Sequence, residues 1–409
     1  APPRNIYQGG QREKTHMYPR LILKKGCEQR QYAGHPWVYE GEIARLEGNP
    51  GDGAVADCYS SKGGFLGRGY FNGRSKIRLR ILTREAAEDL DNALLRRRLE
   101  WALARRQRLD PQATSLRLVH AEGDGLPGLT VDRYEDVLVM QCTSLGMDQR
   151  QDVLAGLLRE RTGLQRVYLR NDLSTRRNDG LELHRGFLGE PFPTTLHIHE
   201  HGLTFEVDLT EGHKTGFYLD QMDNHLTLHA LVPPGGAVLD AFSYSGAFAV
   251  HAAAAGAGSV LGLDSSTAAL ALAQRNAALN QVSAVCRFEE SQVFDRLRQL
   301  LASDQRFDVV VLDPPSFTHH RDAVAKALSG YKEINLRALK LLRPGGMLLT
   351  FTCSYYVDRP HFESMLQAAA GDARRQLIVR QRLSQAGHHP EVLTIPETSY
   401  LKGLAVEVW

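Results

Sequence analysis

The second half of the chain alternates short apolar runs with stretches of helical period, and this alternation limits the fold more than any other feature. The runs that we predict to be buried strands are residues 237–241, 260–263, 284–288, 309–312 and 347–351. The stretches between them have the period of a helix, as in residues 267–280 and 323–342. Such alternation predicts a parallel, doubly wound α/β sheet from about residue 205 onward.

The first half of the chain has a different pattern. Short strands separated by turns rich in glycine and proline predict a small barrel; they are residues 21–23, 37–39, 54–59, 65–70 and 77–82. A helix should follow, with Asp91 as its N-cap and an apolar face; that face comprises Leu95, Leu99, Ala102 and Leu103. Turn pairs and strands at 129–132 and 137–141 then indicate an α+β unit, and the alternation over 196–209 predicts a hairpin.

These changes of pattern predict four segments. Residues 1–16 differ from the rest and are predicted to be a tag or a disordered leader, so that the native chain starts near Met17. The small barrel is predicted at 17–88, the α+β unit at 89–195, and the hairpin with the α/β sheet at 196–409.

Composition excludes several classes of protein. With 409 residues, of which 43% are hydrophobic and 23% charged, the chain is too long for one ordinary domain and is typical of soluble proteins. No stretch reaches the roughly 18 apolar residues of a membrane span. The five cysteines are far apart, with no C-x-x-C pair, which argues against a disulfide scaffold and a zinc site. We therefore predict a cytoplasmic protein without a metal.

Charge points locally to a nucleic acid. The net charge is only +2, but thirteen lysines and arginines between residues 62 and 108 face five acidic residues. They are Lys62, Arg68, Arg74, Lys76, Arg78, Arg80, Arg84, Arg96, Arg97, Arg98, Arg105, Arg106 and Arg108. A basic stripe is typical of a surface that binds phosphates. Charge alone favours a solvated surface equally, and for residues 96–98 both interpretations stay open.

Chemistry concentrates where the predicted parallel strands end. Ligands of such sheets bind beyond the carboxyl ends of the strands. The first strand continues into Asp240-Ala241-Phe242-Ser243-Tyr244-Ser245-Gly246, and the next ends at Asp264, where a carboxylate can bind ribose hydroxyls. Together these two ends favour a cofactor that contains a nucleoside, although the G-x-G-x-x-G pattern is absent. The fourth strand ends in Asp313-Pro314-Pro315-Ser316-Phe317, and the fifth in Thr352-Cys353-Ser354.

These motifs, in this order, resemble those of Rossmann-like methyltransferases that use S-adenosylmethionine to modify RNA. More closely, the chain resembles the ribosomal RNA large subunit methyltransferase I family, from residue 17 to the last residue. The resemblance includes the segments His35-Pro36-Trp37-Val38, Asp124-Gly125-Leu126-Pro127-Gly128, residues 200–202, residues 212–221, His389-Pro390 and Tyr400-Leu401-Lys402-Gly403. It implies a PUA-like RNA-binding barrel, a central α+β domain and a methyltransferase domain with a mostly parallel, seven-stranded sheet.

The resemblance also implies an activity, which is formation of 5-methylcytosine in 23S rRNA. Carbon C5 of cytosine is a poor nucleophile, so a thiolate must first add to C6, and Cys353 is the candidate. Asp313 would bind N3 of the base, and the Pro314 carbonyl would bind the exocyclic amine. The target base must be single-stranded or flipped out of its stack.

Carried over by motif, the residues expected at the cofactor surround the first strand end. They are Lys214, Tyr218, Asp220, Gln221, Asp240, Phe242, Ser243, Gly246, Asp264, Ser291 and Asp313. Two positions depart from the family pattern. Ser316 stands where the family usually has lysine, and Ser291-Gln292 stands where it usually has an acidic pair near the adenine.

Several alternatives stay open. Related enzymes with a D-P-P-x-F motif methylate a guanine nitrogen, for which no thiol is needed. A third hypothesis is an RNA-binding or ribosome-assembly factor that does not catalyse. Cys353 could be a small core residue, and Asp240 and Asp264 could cap turns or helices. The alternating His197, His199 and His201 would share one strand face, an arrangement that can bind a metal ion. The target nucleotide, the choice between naked rRNA and a ribosomal particle, and the formation of a homodimer are not determined by the sequence.

Overall fold

The computed structural model of the chain describes residues 18–318 and 320–409. The predicted leader at 1–16 and the predicted start at Met17 lie outside these residues. The described chain forms three main sheets, one after another along the sequence.

The first sheet has six strands in the spatial order β2-β6-β5-β4-β1-β3. Its elements are β1 (Arg20–Leu23), α1 (Gln29–Tyr32), β2 (Trp37–Tyr39), β3 (Ile43–Glu47), β4 (Val55–Tyr59), β5 (Phe65–Phe71) and β6 (Ile77–Thr83). The five predicted strands are confirmed to within one residue, and β3 was missed. Three of its five residues are exposed, so it lacks the apolar run on which the prediction depended.

The central unit packs two longer helices on a five-stranded sheet ordered β11-β10-β9-β8-β7. Its elements are α2 (Asn92–Leu109), β7 (Ser115–His120), β8 (Leu129–Tyr134), β9 (Val137–Cys142), α3 (Leu145–Asp148), α4 (Gln151–Thr162), β10 (Arg166–Asn171) and β11 (His184–Phe187). The predicted N-cap of α2 is confirmed, because the Asp91 side chain accepts a hydrogen bond from the Leu94 N–H. Leu95, Leu99 and Ala102 are buried as expected.

The third unit begins with the predicted hairpin and continues into a seven-stranded sheet. The hairpin and the following helix are β12 (Thr195–Glu200), β13 (Leu203–Asp208) and α5 (Met222–His229). The sheet strands are β14 (Ala237–Ala241), β15 (Ser259–Asp264), β16 (Cys286–Glu290), β17 (Phe307–Leu312), β18 (Leu342–Thr352), β19 (Leu377–Ser384) and β20 (Lys402–Val408). Its helices are α6 (Ala247–Ala254), α7 (Thr267–Leu279), α8 (Val293–Ala302), α9 (Val324–Leu341) and α10 (Arg359–Ala373).

The spatial order of this sheet is β16-β15-β14-β17-β18-β20-β19. Strands β14 to β18 are parallel, whereas β20 runs antiparallel between β18 and β19. The doubly wound, mostly parallel sheet is therefore confirmed. The strand predicted at 284–288 starts two residues later, because Val285 belongs to a turn in which its N–H binds the Val282 carbonyl.

Alternate residues of the central strands enter two separate cores. Leu239 and Val310 pack with α8, α9 and α10 on one face, while Val238 and Val309 pack with α5 and α6 on the other. A sheet covered on both faces leaves its strand ends as the place for a ligand. Among the described residues, no helix is long and apolar enough to cross a membrane.

Much of the predicted basic stripe is used inside the protein. Arg68 forms a buried ion pair with Asp57, and Arg106 forms one with Asp124, each at 2.6 Å. Arg80 binds Asp179 of the central unit at 2.7 Å. The interpretation of the whole stripe as an RNA surface was therefore wrong for these arginines, because each is held by a carboxylate from elsewhere in the fold.

Candidate active site

The loops that follow strands β14 to β18 meet at one edge of the third sheet, because the strands are parallel. The chain leaves β14 toward β15 on one side and reaches β17 on the other, so the order of strands reverses between β14 and β17. A crevice at such a reversal is the usual ligand site of an open α/β sheet. The predicted site residues lie around it.

The loop after β14 has an unusual backbone. Phe242, Tyr244 and Gly246 all have positive φ angles, of 68°, 45° and 77°. A Cβ atom on Gly246 would lie 2.8 Å from the Ala273 Cβ atom and 3.1 Å from the Phe288 ring. Glycine is thus required there for two reasons, the left-handed backbone and the close approach of α7 and β16.

Asp240, near the end of β14, holds this loop in place through hydrogen bonds. Its Oδ2 atom accepts hydrogen bonds from the Ser243 hydroxyl at 2.7 Å and the Ala249 N–H at 3.1 Å. Its Oδ1 atom is buried without a hydrogen-bond partner in the described structure. Burial raises the pKa of Asp240 to about 7. Asp240 therefore does support the turn, as the alternative interpretation held, and it also offers a free oxygen.

Asp264 ends β15 and connects two loops. It accepts hydrogen bonds from the N–H groups of Tyr244 and Ser266, both at 2.9 Å. The cap of α7 is Ser266, whose Oγ atom accepts from the Ala269 N–H. Interpreting Asp264 as the helix cap was therefore wrong, since the residue two positions later performs that role.

Ser291 follows β16 and is held against β15, because its N–H donates to the Asp264 carbonyl at 2.8 Å. Its Oγ atom is buried and has no partner in the described part of the chain. Ser291 and Asp240 thus present unsatisfied polar atoms around the loop that contains Gly246. A nucleoside cofactor, with several donors and acceptors, suits these residues.

The segment before α5 links the two sides of the crevice. The Lys214 ammonium group pairs with Asp220, and the Tyr400 hydroxyl donates to the same Asp220 oxygen at 2.7 Å. Burial acts to raise the pKa of Asp220, but Lys214 and the Tyr400 hydrogen bond lower it overall. Lys214 also lies 4.4 Å from the centre of the Tyr218 ring. The negative charge of Asp220 is therefore well compensated.

Asp313 lies at the end of β17, next to this segment. The Gln221 side chain donates to Asp313 Oδ2 at 2.9 Å, and Asn224 in turn donates to Gln221 at 2.6 Å. Burial, together with the Asp220 carboxylate, raises the pKa of Asp313 to about 6. The carboxyl group can thus exchange a proton near neutral pH. Pro314, the next residue, is buried.

Cys353 follows β18, the strand adjacent to β17, and is partly exposed. Burial and the nearby Asp313 carboxylate raise the pKa of its thiol to about 11, while Lys214 opposes that rise. Ser316, at the position that departs from the family pattern, contacts the neighbouring Ser354 hydroxyl at 3.0 Å. The structure thus brings the thiol and the carboxyl group to adjacent strand ends.

Two polar residues near the site were not predicted as site residues. Tyr400 binds Asp220, and the Lys402 ammonium group donates to the Ser354 carbonyl at 2.9 Å. Both belong to a segment that had been noted only for its resemblance. The signal that finds them is the antiparallel register of β20 on β18, and no local pattern in the sequence encodes that register.

A buried histidine cluster lies behind the site. Glu200 Oε1 lies 2.6 Å from His225 Nδ1 and 3.3 Å from His251 Nε2. His229 Nε2 lies 2.9 Å from His251 Nδ1. The 2.6 Å between Glu200 Oε1 and His225 Nδ1 is a hydrogen-bond distance. Two atoms that bind one tetrahedral zinc ion are about 3.3 Å apart, so these two atoms are placed to contact each other. His197 and His199 lie on the exposed face of β12. His201 follows the strand and does not share that face, because its Nε2 atom lies 3.2 Å from the Met222 carbonyl oxygen and its ring lies 6.2 Å from that of His251.

The arginines at 96–98 each have a partner within the protein. Arg96 pairs with Glu160 and Arg97 pairs with Glu88. Arg98 is half-buried and donates to the Leu82 carbonyl at 2.8 Å. These contacts favour the structural interpretation of this run.

Two family models match the chain. A PUA-like domain matches residues 21–84, and an S-adenosylmethionine-dependent methyltransferase matches residues 174–404. The second match covers more than half of the chain and includes the whole crevice.

Curated relatives match nearly the full length. A protein of Shewanella amazonensis named ribosomal RNA large subunit methyltransferase I is 41% identical over 394 residues, which cover 95% of this chain and 99% of the relative. A protein of the same name from Salmonella enteritidis is 40% identical over 399 residues, covering 96% and 98%.

A solved structure has the same fold. It is described as a putative methyltransferase complexed with SAH, with a TM-score of 0.82 and 21% identity, and the match covers 95% of this chain and 99% of that one. At this identity, the likeness shows the fold alone.

Proposed function

The chain belongs to the ribosomal RNA large subunit methyltransferase I family of S-adenosylmethionine-dependent enzymes, and on this premise we propose that it methylates C5 of a cytosine in 23S rRNA. In this proposal Cys353 forms a transient covalent bond to C6 of the base. The observation that carries the proposal is the position of Cys353 and Asp313 at the ends of adjacent strands β18 and β17.

The residues around β14 suit the cofactor. When bound, S-adenosylmethionine supplies an electrophilic methyl group. Asp264 would hold the ribose hydroxyls, and the free atoms Asp240 Oδ1 and Ser291 Oγ would accept or donate further hydrogen bonds. Gly246 allows the left-handed turn into α6 and the close approach of α7 and β16, which fix the shape of this loop. Ser243 supports this loop through Asp240.

The chemistry follows from the reactivity of cytosine. The Cys353 sulfur would donate an electron pair to C6, which raises the electron density at C5. Asp313, whose pKa is raised to about 6, would donate a proton or a hydrogen bond to N3 as negative charge develops there. The Pro314 carbonyl would accept from the exocyclic amine. After methylation, a base, which solvent water can provide, would take the C5 proton. The C5–H electron pair would form the C5=C6 bond, and the C6–S bond would break to release the thiolate.

Four residues would position the reacting carboxyl group and thiol; they are Lys214, Tyr218, Asp220 and Gln221. Gln221 is hydrogen-bonded to Asp313 and fixes one of its oxygens. The Lys214–Asp220 pair places one positive and one negative group beside the carboxyl and the thiol.

We also propose that the barrel at 17–88 holds the RNA and that the protein acts in the cytoplasm, where ribosomes assemble.

The decisive experiment combines replacement with trapping. Cys353→Ala should abolish formation of 5-methylcytosine in 23S rRNA, while calorimetry shows an unchanged affinity for S-adenosylmethionine. RNA that contains 5-fluorocytosine should form a covalent complex with the wild-type protein and none with Cys353→Ala, because fluorine blocks loss of the C5 substituent.

The matched control is Cys27→Ala, in the turn between β1 and α1, which should retain full activity. A Cys353→Ala variant that still makes 5-methylcytosine would exclude the thiol mechanism. A methylated guanine found by mass spectrometry in the wild-type product would establish the guanine-nitrogen activity instead.

A further inference from the structure

Lys402 lies where β20 reaches the end of β18. In the antiparallel pairing of the two strands, its Cα is opposite Thr352, the residue before Cys353. Its ammonium group donates to the Ser354 carbonyl at 2.9 Å. Backbone register and side-chain hydrogen bond thus both hold the Lys402 side chain at the segment that carries the thiol.

The surroundings of Lys402 are unusual for a lysine. The residue is only 5% exposed, and no carboxylate of residues 18–318 or 320–409 lies within ion-pair distance of its ammonium group. Lys214, the other lysine of the site, pairs directly with Asp220. A buried ammonium group without a counter-ion is costly, because it loses hydration that a single carbonyl replaces only in part. The position therefore favours a negative partner.

The charged groups around Lys402 include a candidate for that partner. Those that act on Lys402 are Cys353, Arg359, Asp358 and Glu391, of which Cys353 has the largest effect. Those that act most on Cys353 are Asp313, Lys214 and Asp220. Both acids disfavour a thiolate, and the charge of Lys214 is already neutralised by Asp220. Of the two lysines, Lys402 is thus the one without an ion-pair partner among the described residues, and its ammonium group is held at the residue after Cys353.

We propose that Lys402 is a positioning residue whose ammonium group stabilises the thiolate form of Cys353. In this step the S–H bond breaks, its proton passes to solvent, and the ammonium group stays protonated. When the sulfur bonds to C6, its negative charge moves into the pyrimidine ring, and when the bond breaks the charge returns to face Lys402. The inference rests on the proposed function for its purpose, but it can be tested without RNA.

The titration of both groups agrees with this role. Burial lowers the pKa of Lys402 to about 8, so the ammonium form still predominates at neutral pH. Burial raises the pKa of Cys353 to about 11, so the thiol is the main form in the free protein and any cation nearby increases the small thiolate fraction. Thiolate, not thiol, is the nucleophile.

The test measures how fast Cys353 reacts with iodoacetamide as a function of pH. Peptide mapping by mass spectrometry separates Cys353 from the other four cysteines. At pH 7, where wild-type Lys402 is mainly in the ammonium form, Lys402→Gln and Lys402→Met should both slow the alkylation of Cys353 by about tenfold, which corresponds to a rise of one pKa unit. Lys402→Arg, which keeps the charge, should remain close to the wild type.

The control is Lys340→Gln on the exposed side of α9, which should leave the alkylation profile unchanged. Thermal unfolding and S-adenosylmethionine affinity establish that each variant is folded. Unchanged alkylation in a folded Lys402→Gln or Lys402→Met protein would overturn the proposal. If neither folds, Lys402→Arg decides, because alkylation at pH 9 well below the wild-type rate would exclude stabilisation by charge.

The result separates this inference from the proposed function. A shifted alkylation profile in a protein that makes no 5-methylcytosine would support the role of Lys402 and refute the proposed reaction. An unshifted profile in an active enzyme would do the reverse.

Discussion

At the scale of single residues, the site is distinguished by two carboxyl groups that titrate near neutral pH. Burial raises the pKa of Asp240 to about 7 and, with the neighbouring Asp220, that of Asp313 to about 6. An ordinary aspartate in an unfolded chain titrates near 3.9. Each group therefore destabilises the cofactor-free fold near neutral pH. Carboxyl groups with raised pKa values are common at catalytic sites.

The raised pKa of Asp240 makes the stability of the protein depend on pH. Between about pH 4 and pH 7 the unfolded chain ionises Asp240 but the folded protein does not, so the free energy of unfolding falls as the pH rises. Asp240→Asn removes this titration. We expect the cofactor-free variant to lose less thermal stability than the wild type between pH 5 and pH 8.

The comparison variant for this prediction is Asp304→Asn, an exposed residue after α8. It should follow the wild-type pH profile. A wild-type profile for Asp240→Asn in scanning calorimetry would show that Asp240 is ionised in the folded protein.

Single residues were predicted from sequence where their position along a strand was sufficient. Asp240, Asp264, Asp313 and Cys353 lie at strand ends, and a strand end is visible in a linear pattern. Lys402 and the buried Glu200 were missed, because their roles come from strands that pair only in three dimensions.

At the scale of elements, the turn from β14 into α6 carries the tightest geometry near the site. A side chain at Gly246 would have to adopt a left-handed backbone and would also contact Ala273 and Phe288. We expect Gly246→Ala to destabilise the protein by roughly 2–4 kcal/mol, which combines backbone strain with overpacking. It should also weaken S-adenosylmethionine binding in calorimetry.

Gly256 provides a matched control at the other end of α6. Its φ angle is also positive, at 99°, but a Cβ atom there would meet nothing within 4 Å. Gly256→Ala should therefore cost only the backbone strain, about 1 kcal/mol. Equal destabilisation in the two variants would show that close packing at Gly246 is unimportant.

The order and type of the central elements could be predicted because their apolar periods are strong. The helix α7 and strand β14 lie within one residue of their predicted bounds. Strand β3 could not be predicted, since most of its residues are exposed, and β16 was displaced because the apolar Val285 belongs to a turn.

At the scale of the whole molecule, the distribution of free positive charge differs from the distribution in sequence. Arg68, Arg80 and Arg106 are neutralised by internal carboxylates. Lys62 and Lys76 of the first sheet are exposed and have no ion-pair partner within the described chain. Sequence could count the charges, but it could not show which of them the fold neutralises.

We therefore expect the two exposed lysines to contact the phosphates of the RNA. Replacing Lys62 and Lys76 by glutamine should weaken binding of 23S rRNA and reduce the slope of log affinity against log salt by about 0.7–0.9 for each phosphate that the variant no longer neutralises. Filter binding over a series of salt concentrations measures this slope. Lys340→Gln, on the third unit, should leave the slope unchanged, and an unaltered slope in the double variant would place the RNA elsewhere.

The interior place of β20 has a consequence for chains that lack this strand. A ribosome makes residues 402–408 after every other described strand, yet they insert between two strands made earlier. A nascent protein can assemble the Gly246 loop long before that insertion, but it lacks Lys402 until the last strand emerges. A chain without β20 would therefore leave β18 and β19 without their shared partner, and it would lack the ammonium group that we propose for the Cys353 thiolate.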